Sequence, residues 1–164
     1  MRQSLEEKLI FQDITDIMQD YTSIQPDIDD QRVKAACLLA QNVDIKRLIG
    51  QDNIDRCLNP STDFENELVE KIEPPICYYT YARLLNSFQG SYSESGYSVE
   101  ELALATAETK RLSNEIRSIA EEYMKEVLTL LKDESDTDDD SDIHDDKLVS
   151  SIHVMGGRES RASN

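Results

Sequence analysis

Three groups of residues could do chemistry, and each is tested first by spacing. The run Asp136-x-Asp138-x-Asp140 has the outline of an EF-hand loop. Such a loop needs Gly at its sixth position and Glu at its twelfth. Here those positions hold Ser141 and Lys147, so the run reads as a solvated stretch of charge. The adjacent acids Glu6/Glu7 and Glu121/Glu122 fall on helical stretches, where neighbours in sequence point apart and cannot form an acid/base couple. Cys37, Cys57 and Cys77 are odd in number and widely spaced, and His144 and His153 both lie in the tail. A zinc site would need a fourth ligand near them, so the thiols read as reduced and mostly buried. No catalytic, cofactor-binding or metal-ligating residue emerges, and the expectation is a protein that is not an enzyme and carries no cofactor.

What remains is surface and shape. Thirty-four acidic against 17 basic residues give a net charge of −17. That balance repels bare nucleic acid and anionic membranes over a Debye length of about 8 Å, and groove binding by clustered Lys and Arg is excluded. An acidic wall past which DNA slides without sticking is compatible with it. The start MRQSLEEKL lacks the apolar stretch of a secretion signal, and no run reaches the ~20 apolar residues of a membrane span. The expectation is a protein made and used without either.

The elements that carry these residues are helical. Hydrophobic positions at three- and four-residue spacing, with few glycines and no Trp, predict an all-α fold. That fold is a small bundle of about four to five helices with a long C-terminal helix and an acidic, largely irregular tail. A lead-in to about Phe11 precedes a short helix near Asp13–Asp20, with Asp13 or Thr15 as cap. Pro26 marks a connection, and Asp29 or Asp30 caps a helix to about Arg47 whose inner face includes Val33, Ala36, Cys37, Ala40, Val43 and Asp44. Gly50 ends it with a left-handed turn, and a short helix to Leu58 follows. Thr62 and Glu65 form a capping box for a helix that Pro74-Pro75 should interrupt. After the Gly/Ser/Tyr loop 89–97, a second box at Ser98–Glu101 opens the last helix, to about Lys132, with Leu112, Ile116, Ile119, Tyr123 and Val127 along one stripe.

Charge divides the chain. Residues 1–132 form the helical domain. Residues 133–146 hold nine acids and no base and cannot build a core. Residues 147–164 form a tail with a short apolar patch around Ile152 and Val154, able to pair with a neighbour's exposed edge. Tyr92 and Tyr97, on a polar loop, are candidates for a loop-mediated contact because Tyr is enriched at interfaces.

One stretch carries a resemblance. Ala40, Gln41, Asp44, Ile45, Leu48, Ile49 and Gly50 match the "AQ…D(I/L)…LLG" helix and turn of head–tail connector (adaptor) proteins of tailed bacteriophages. Tyr21, Thr22 and Ile24 resemble that family's "Y-T-x-I" connection, and IEPPICYYTYARLLNSF resembles its Tyr-rich helix. The likeness covers roughly residues 10–132 and departs at Pro75, in the polar loop and throughout the tail. It implies a virion protein at the neck, assembled as a twelvefold ring beneath the portal protein, extending the DNA channel and docking tail or further connector proteins. DNA would pass without sequence-specific binding, and no membrane is involved. Asp44, Lys46 and Arg47 then become candidates for exposed subunit contacts. The alternative function is a regulatory or binding module whose acidic tail occupies a basic partner.

Overall fold

The central helix of the bundle announces its own start. In the computed structural model, which describes residues 8–24, 28–88 and 99–139, helix α4 spans Asp63–Phe88. The Glu65 N–H donates to the Thr62 hydroxyl at 3.2 Å, and the Thr62 N–H donates back to the Glu65 carboxylate at 3.1 Å. This reciprocal pair is the expected capping box. Glu65 also accepts from the Ser61 N–H and hydroxyl at 2.7 and 2.8 Å.

The interruption expected at Pro74-Pro75 does not occur; α4 runs through both prolines as one helix. Each proline removes an intrahelical donor. The loss is tolerated because Ile72, Ile76 and Cys77 around it are fully buried, so tertiary packing holds the turn that backbone bonding does not.

Four further α-helices surround it: α1 (Ile14–Tyr21), α2 (Asp30–Leu39), α3 (Lys46–Leu58) and α5 (Val99–Asp139). No strand occurs among the described residues. The architecture is therefore a small all-α bundle with a long C-terminal helix. Asp29 caps α2 by accepting from the Gln31 N–H at 3.1 Å. Neither candidate cap of α1 bonds as one: Asp13 makes no side-chain cap bond, and the Thr15 hydroxyl donates to Asp30 at 2.6 Å, tying α1 to the start of α2. The described part of the lead-in, residues 8–11, is docked, with Leu9 and Phe11 in the core.

Between α2 and α3 the chain is not α-helical. Ala40–Ile45 forms a π-helix, and the Lys46 N–H reaches back five residues to the Gln41 carbonyl. The wider turn shifts the inner face by one position. Val33, Ala36, Cys37, Ala40 and Asp44 are buried as expected of the inner face, but Gln41, Ile45 and Ile49 join them while Val43 is turned out, 51% exposed. Gly50 has φ 84° and ψ 169°, a conformation essentially restricted to glycine. The turn expected there exists, but its ψ is extended rather than left-handed helical.

Helix α5 lies antiparallel to α4, with Tyr123 stacked on Tyr78 and Ser113 bonded near the far end of α4 to Asn86 and to the Ala82 carbonyl. Among its described side chains the buried ones are Ser113, Ile116, Ala120, Met124 and Val127. Ile116 and Val127 were expected; Leu112 and Ile119 were too, and they are 42% and 43% exposed. Small Ser113 and Ala120 take the inner positions, and at 41 residues the helix is about 60 Å long. It continues past Lys132 to Asp139, so the first part of the acidic run is helical; the remainder, with the apolar patch of residues 147–164, lies outside the described residues.

Candidate subunit interface

Asp44 is the most chemically loaded residue of the fold. The π-helix turns it inward, where it is 7% exposed. One carboxylate oxygen accepts from Arg83 Nε at 2.7 Å and the other from Arg117 Nη1 at 3.2 Å. Three elements — the π-helix, α4 and α5 — meet at this one carboxylate. The expectation that Asp44 forms an exposed contact between subunits is therefore corrected: it is an internal tie, its charge neutralised by two guanidinium groups. Breaking such a pair strands charge in a low dielectric, so it holds the bundle together instead of recognising a partner. Lys46 is half-buried and Arg47 is exposed, so only Arg47 retains the surface position expected of it. Tyr92, Tyr97, Ile152 and Val154 lie outside the described residues.

A second internal tie joins the other end of α5. Arg56 on α3 binds Glu134 through both terminal nitrogens, donates from Nε to Glu65 at 3.3 Å, and stacks its guanidinium 4.8 Å from the centroid of the Phe64 ring. The bidentate form adds direction to the charge attraction. The hydrogen bonds that Glu65 receives from Ser61, first from its backbone and then from its hydroxyl, hold the Glu65 carboxyl down at about 2, and Arg56 reinforces this. Neither Arg83 and Arg117 nor the Arg56–Glu134 pair emerges from sequence spacing. The one available signal is an arginine set among apolar positions, as in Tyr81-Ala82-Arg83-Leu84-Leu85, which demands a buried carboxylate somewhere.

The remaining polar chemistry is also closed inward. Gln41, 2% exposed, accepts from the Ile10 N–H at 3.0 Å and donates to the Lys8 carbonyl at 2.9 Å, clamping the lead-in to the π-helix. The Tyr21 hydroxyl donates to Glu73 at 2.9 Å, and its ring meets Tyr78 edge-on at 6.3 Å. Burial, then the Glu73 bond, raises the Tyr21 phenol to about 12. All three cysteines are buried and free. Desolvation pushes the Cys57 thiol up to about 11 and Cys37 to about 12, and raises Cys77 further. Such thiols supply little thiolate for nucleophilic attack. No cluster of three His, Cys, Asp or Glu able to hold a metal occurs among the described residues.

The surface carries apolar side chains instead. Leu39 and Val43, one turn apart, are 52% and 51% exposed. Leu39 lines a groove of about 310 Å³ whose walls include Arg32, Arg83 and Arg117. On α5, Leu112 and Ile119 stand a heptad apart with exposed Glu108, Glu115 and Glu122 interleaved at three- and four-residue spacing. Glu115 and Glu122 also pair with Arg111 and Lys125 at 3.1 and 2.7 Å, but both pairs are solvent-exposed and worth about 0.5 kcal/mol or less.

Among known families, the one described as a family of unknown function (DUF6712) matches residues 38–141. The match runs from the end of α2 through the π-helix, the Gly50 turn, α4 and α5, and the chain belongs to that family. Comparison with curated proteins and with solved structures gives no match.

Proposed function

We propose that this member of the DUF6712 family is a structural protein of a tailed-bacteriophage particle, one subunit of a ring that joins portal and head to tail and extends the DNA channel. It acts by assembling rather than by catalysis. The observation that carries the reading is a division of labour in the fold. The groups able to do chemistry (Asp44, Arg83, Arg117, Arg56, Glu65 and the three thiols) are engaged or buried inside the monomer. Large apolar side chains are left outside at Leu39, Val43, Leu112, Ile119 and Leu128 among the described residues. Exposed apolar patches rimmed by charge are the mark of protein–protein contact.

The order of helices and the Ala40–Gly50 stretch support the connector reading by resemblance, including its twelvefold symmetry. The partners are then further copies of this chain, the portal protein, and tail or further connector proteins at the neck of the virion. A net charge of −17 suits a channel wall that DNA passes without being held. No helix among the described residues is long and apolar enough to cross a membrane.

Phage particles assembled without the protein test the reading: they should package DNA and fail to acquire tails. Particles that carry normal tails would refute it. Removal of residues 140–164 separates the reading from an acidic module that occupies a basic partner. A ring subunit keeps its assembly, whereas a tail-borne mimic loses all binding. The cut is placed after Asp139 because Glu134 belongs to the Arg56 tie.

A further inference from the structure

We infer that the Leu39/Val43 patch of one copy docks onto the Leu112/Ile119 flank of α5 in the next, forming a head-to-tail contact between copies of this chain. The proposal takes ring closure from the connector reading, and takes the contact itself from two surfaces of the monomer.

The two patches face different ways. Arg117 points from α5 toward Asp44 beside the Leu39 groove. Ile119 follows it by two residues, about 200° around the helix axis, and Leu112 precedes it by five, which leads to nearly the same side. One molecule therefore presents these two patches on well-separated faces. A self-complementary twofold dimer would bury one patch twice and leave the other open. Joining unlike patches buries both, and repeats until the rotation closes a ring.

Charge selects the same pairing. Arg32, Arg83 and Arg117 line the Leu39 groove, Asp44 offsetting one of their three charges and leaving the groove basic, with exposed Arg47 one turn beyond Val43. Glu108, Glu115 and Glu122 flank Leu112 and Ile119. Like patches would bring like charges together, whereas unlike patches bring basic to acidic. In a chain carrying −17 overall, the basic groove is the surface best suited to meet a second copy's acidic flank.

Single variants Val43→Cys and Ile119→Cys of the full chain test this under mild oxidation. The native thiols are buried and contribute no background. Mixing the two variants should give a disulfide-linked pair of one copy of each, and neither variant alone should cross-link. Cross-linking of Val43→Cys with itself, or none in the mixture, overturns the proposal. Sedimentation gives a second readout. The native chain should associate increasingly with concentration, and Leu39→Asp or Ile119→Asp should each weaken association at least tenfold. A 1:1 mixture of these two should recover a dimer that grows no further, since each retains one good face. Native chain that stays a monomer of 18.7 kDa at every concentration also overturns the contact. Particle assembly judges the ring reading separately: untailed, filled particles uphold that reading even if the cross-link fails, and normally tailed particles refute it even if the cross-link forms.

Discussion

Replacing Gly50 isolates a backbone effect from every packing effect. At φ 84° and ψ 169°, an L-residue is held in a region costing about 1–3 kcal/mol. A Cβ built there meets nothing within 4 Å, so no clash adds to that strain. Alanine also narrows the unfolded ensemble, offsetting about 0.4–1 kcal/mol. The net loss for Gly50→Ala is about 1–2 kcal/mol, which for a chain of this length lowers Tm by roughly 2–8 °C. Asparagine is the informative control. It tolerates the left-handed helical region, where ψ is near +47°, but gains nothing at ψ 169°. Thermal unfolding followed by circular dichroism should therefore rank Gly50→Asn with Gly50→Ala, both below the native chain. An unchanged Tm for alanine would show that no positive-φ turn is needed there, and asparagine close to native would show an ordinary left-handed cap; either result refutes the reasoning.

Other consequences are as direct. Asp44→Asn should lower stability in urea by about 2–4 kcal/mol, and Arg83→Met should cost more than Arg117→Met because the Arg83 bond is shorter and its side chain more buried, 20% against 32% exposed. Glu65 has its folded pKa depressed to about 2 from a usual 4.5, so its contribution is complete above about pH 4.5 and is lost as pH falls toward 2. Carboxyl resonances followed by NMR should show Glu65 still ionised near pH 3, and Glu65→Gln should flatten the acid limb of the stability curve. An aromatic disulfide reagent at pH 8 should leave Cys37, Cys57 and Cys77 untouched in the folded protein and label all three in denaturant.

Much of this architecture is legible in the chain because local signals agree with burial. Thr62 and Glu65 specify their cap through atoms three residues apart, and Val33, Ala36 and Cys37 face inward at helical spacing. Prediction fails where tertiary contacts outvote local preference. Pro74-Pro75 carries a strong local signal against helix, and the fully buried Ile72, Ile76 and Cys77 override it. Leu112 and Ile119 fit the apolar period of α5 as well as Ser113 and Ala120 do; only the close approach of α4 decides which pair lies inside. Spacing puts Asp44 on an inner face, but its partners Arg83 and Arg117, 39 and 73 residues away, are brought beside it only by the fold. The exposed apolar patches could not be read as patches, since the exposure of Val43 depends on the π-helix and that of Leu112 and Ile119 on how α4 approaches.

That π-helix is, in terms of chain length, a single surplus residue that the helix absorbs without losing either flanking face. Here Asn42 and Val43 are both exposed, next to Leu39. Deleting Asn42 should let α2 run into α3 with regular bonding and raise Tm, while closing the Leu39–Val43 spacing from four residues to three and so reshaping the patch and weakening self-association. A monomer made sturdier by losing one residue, yet poorer at joining its neighbours, would show that the wider turn serves assembly at the expense of the lone subunit.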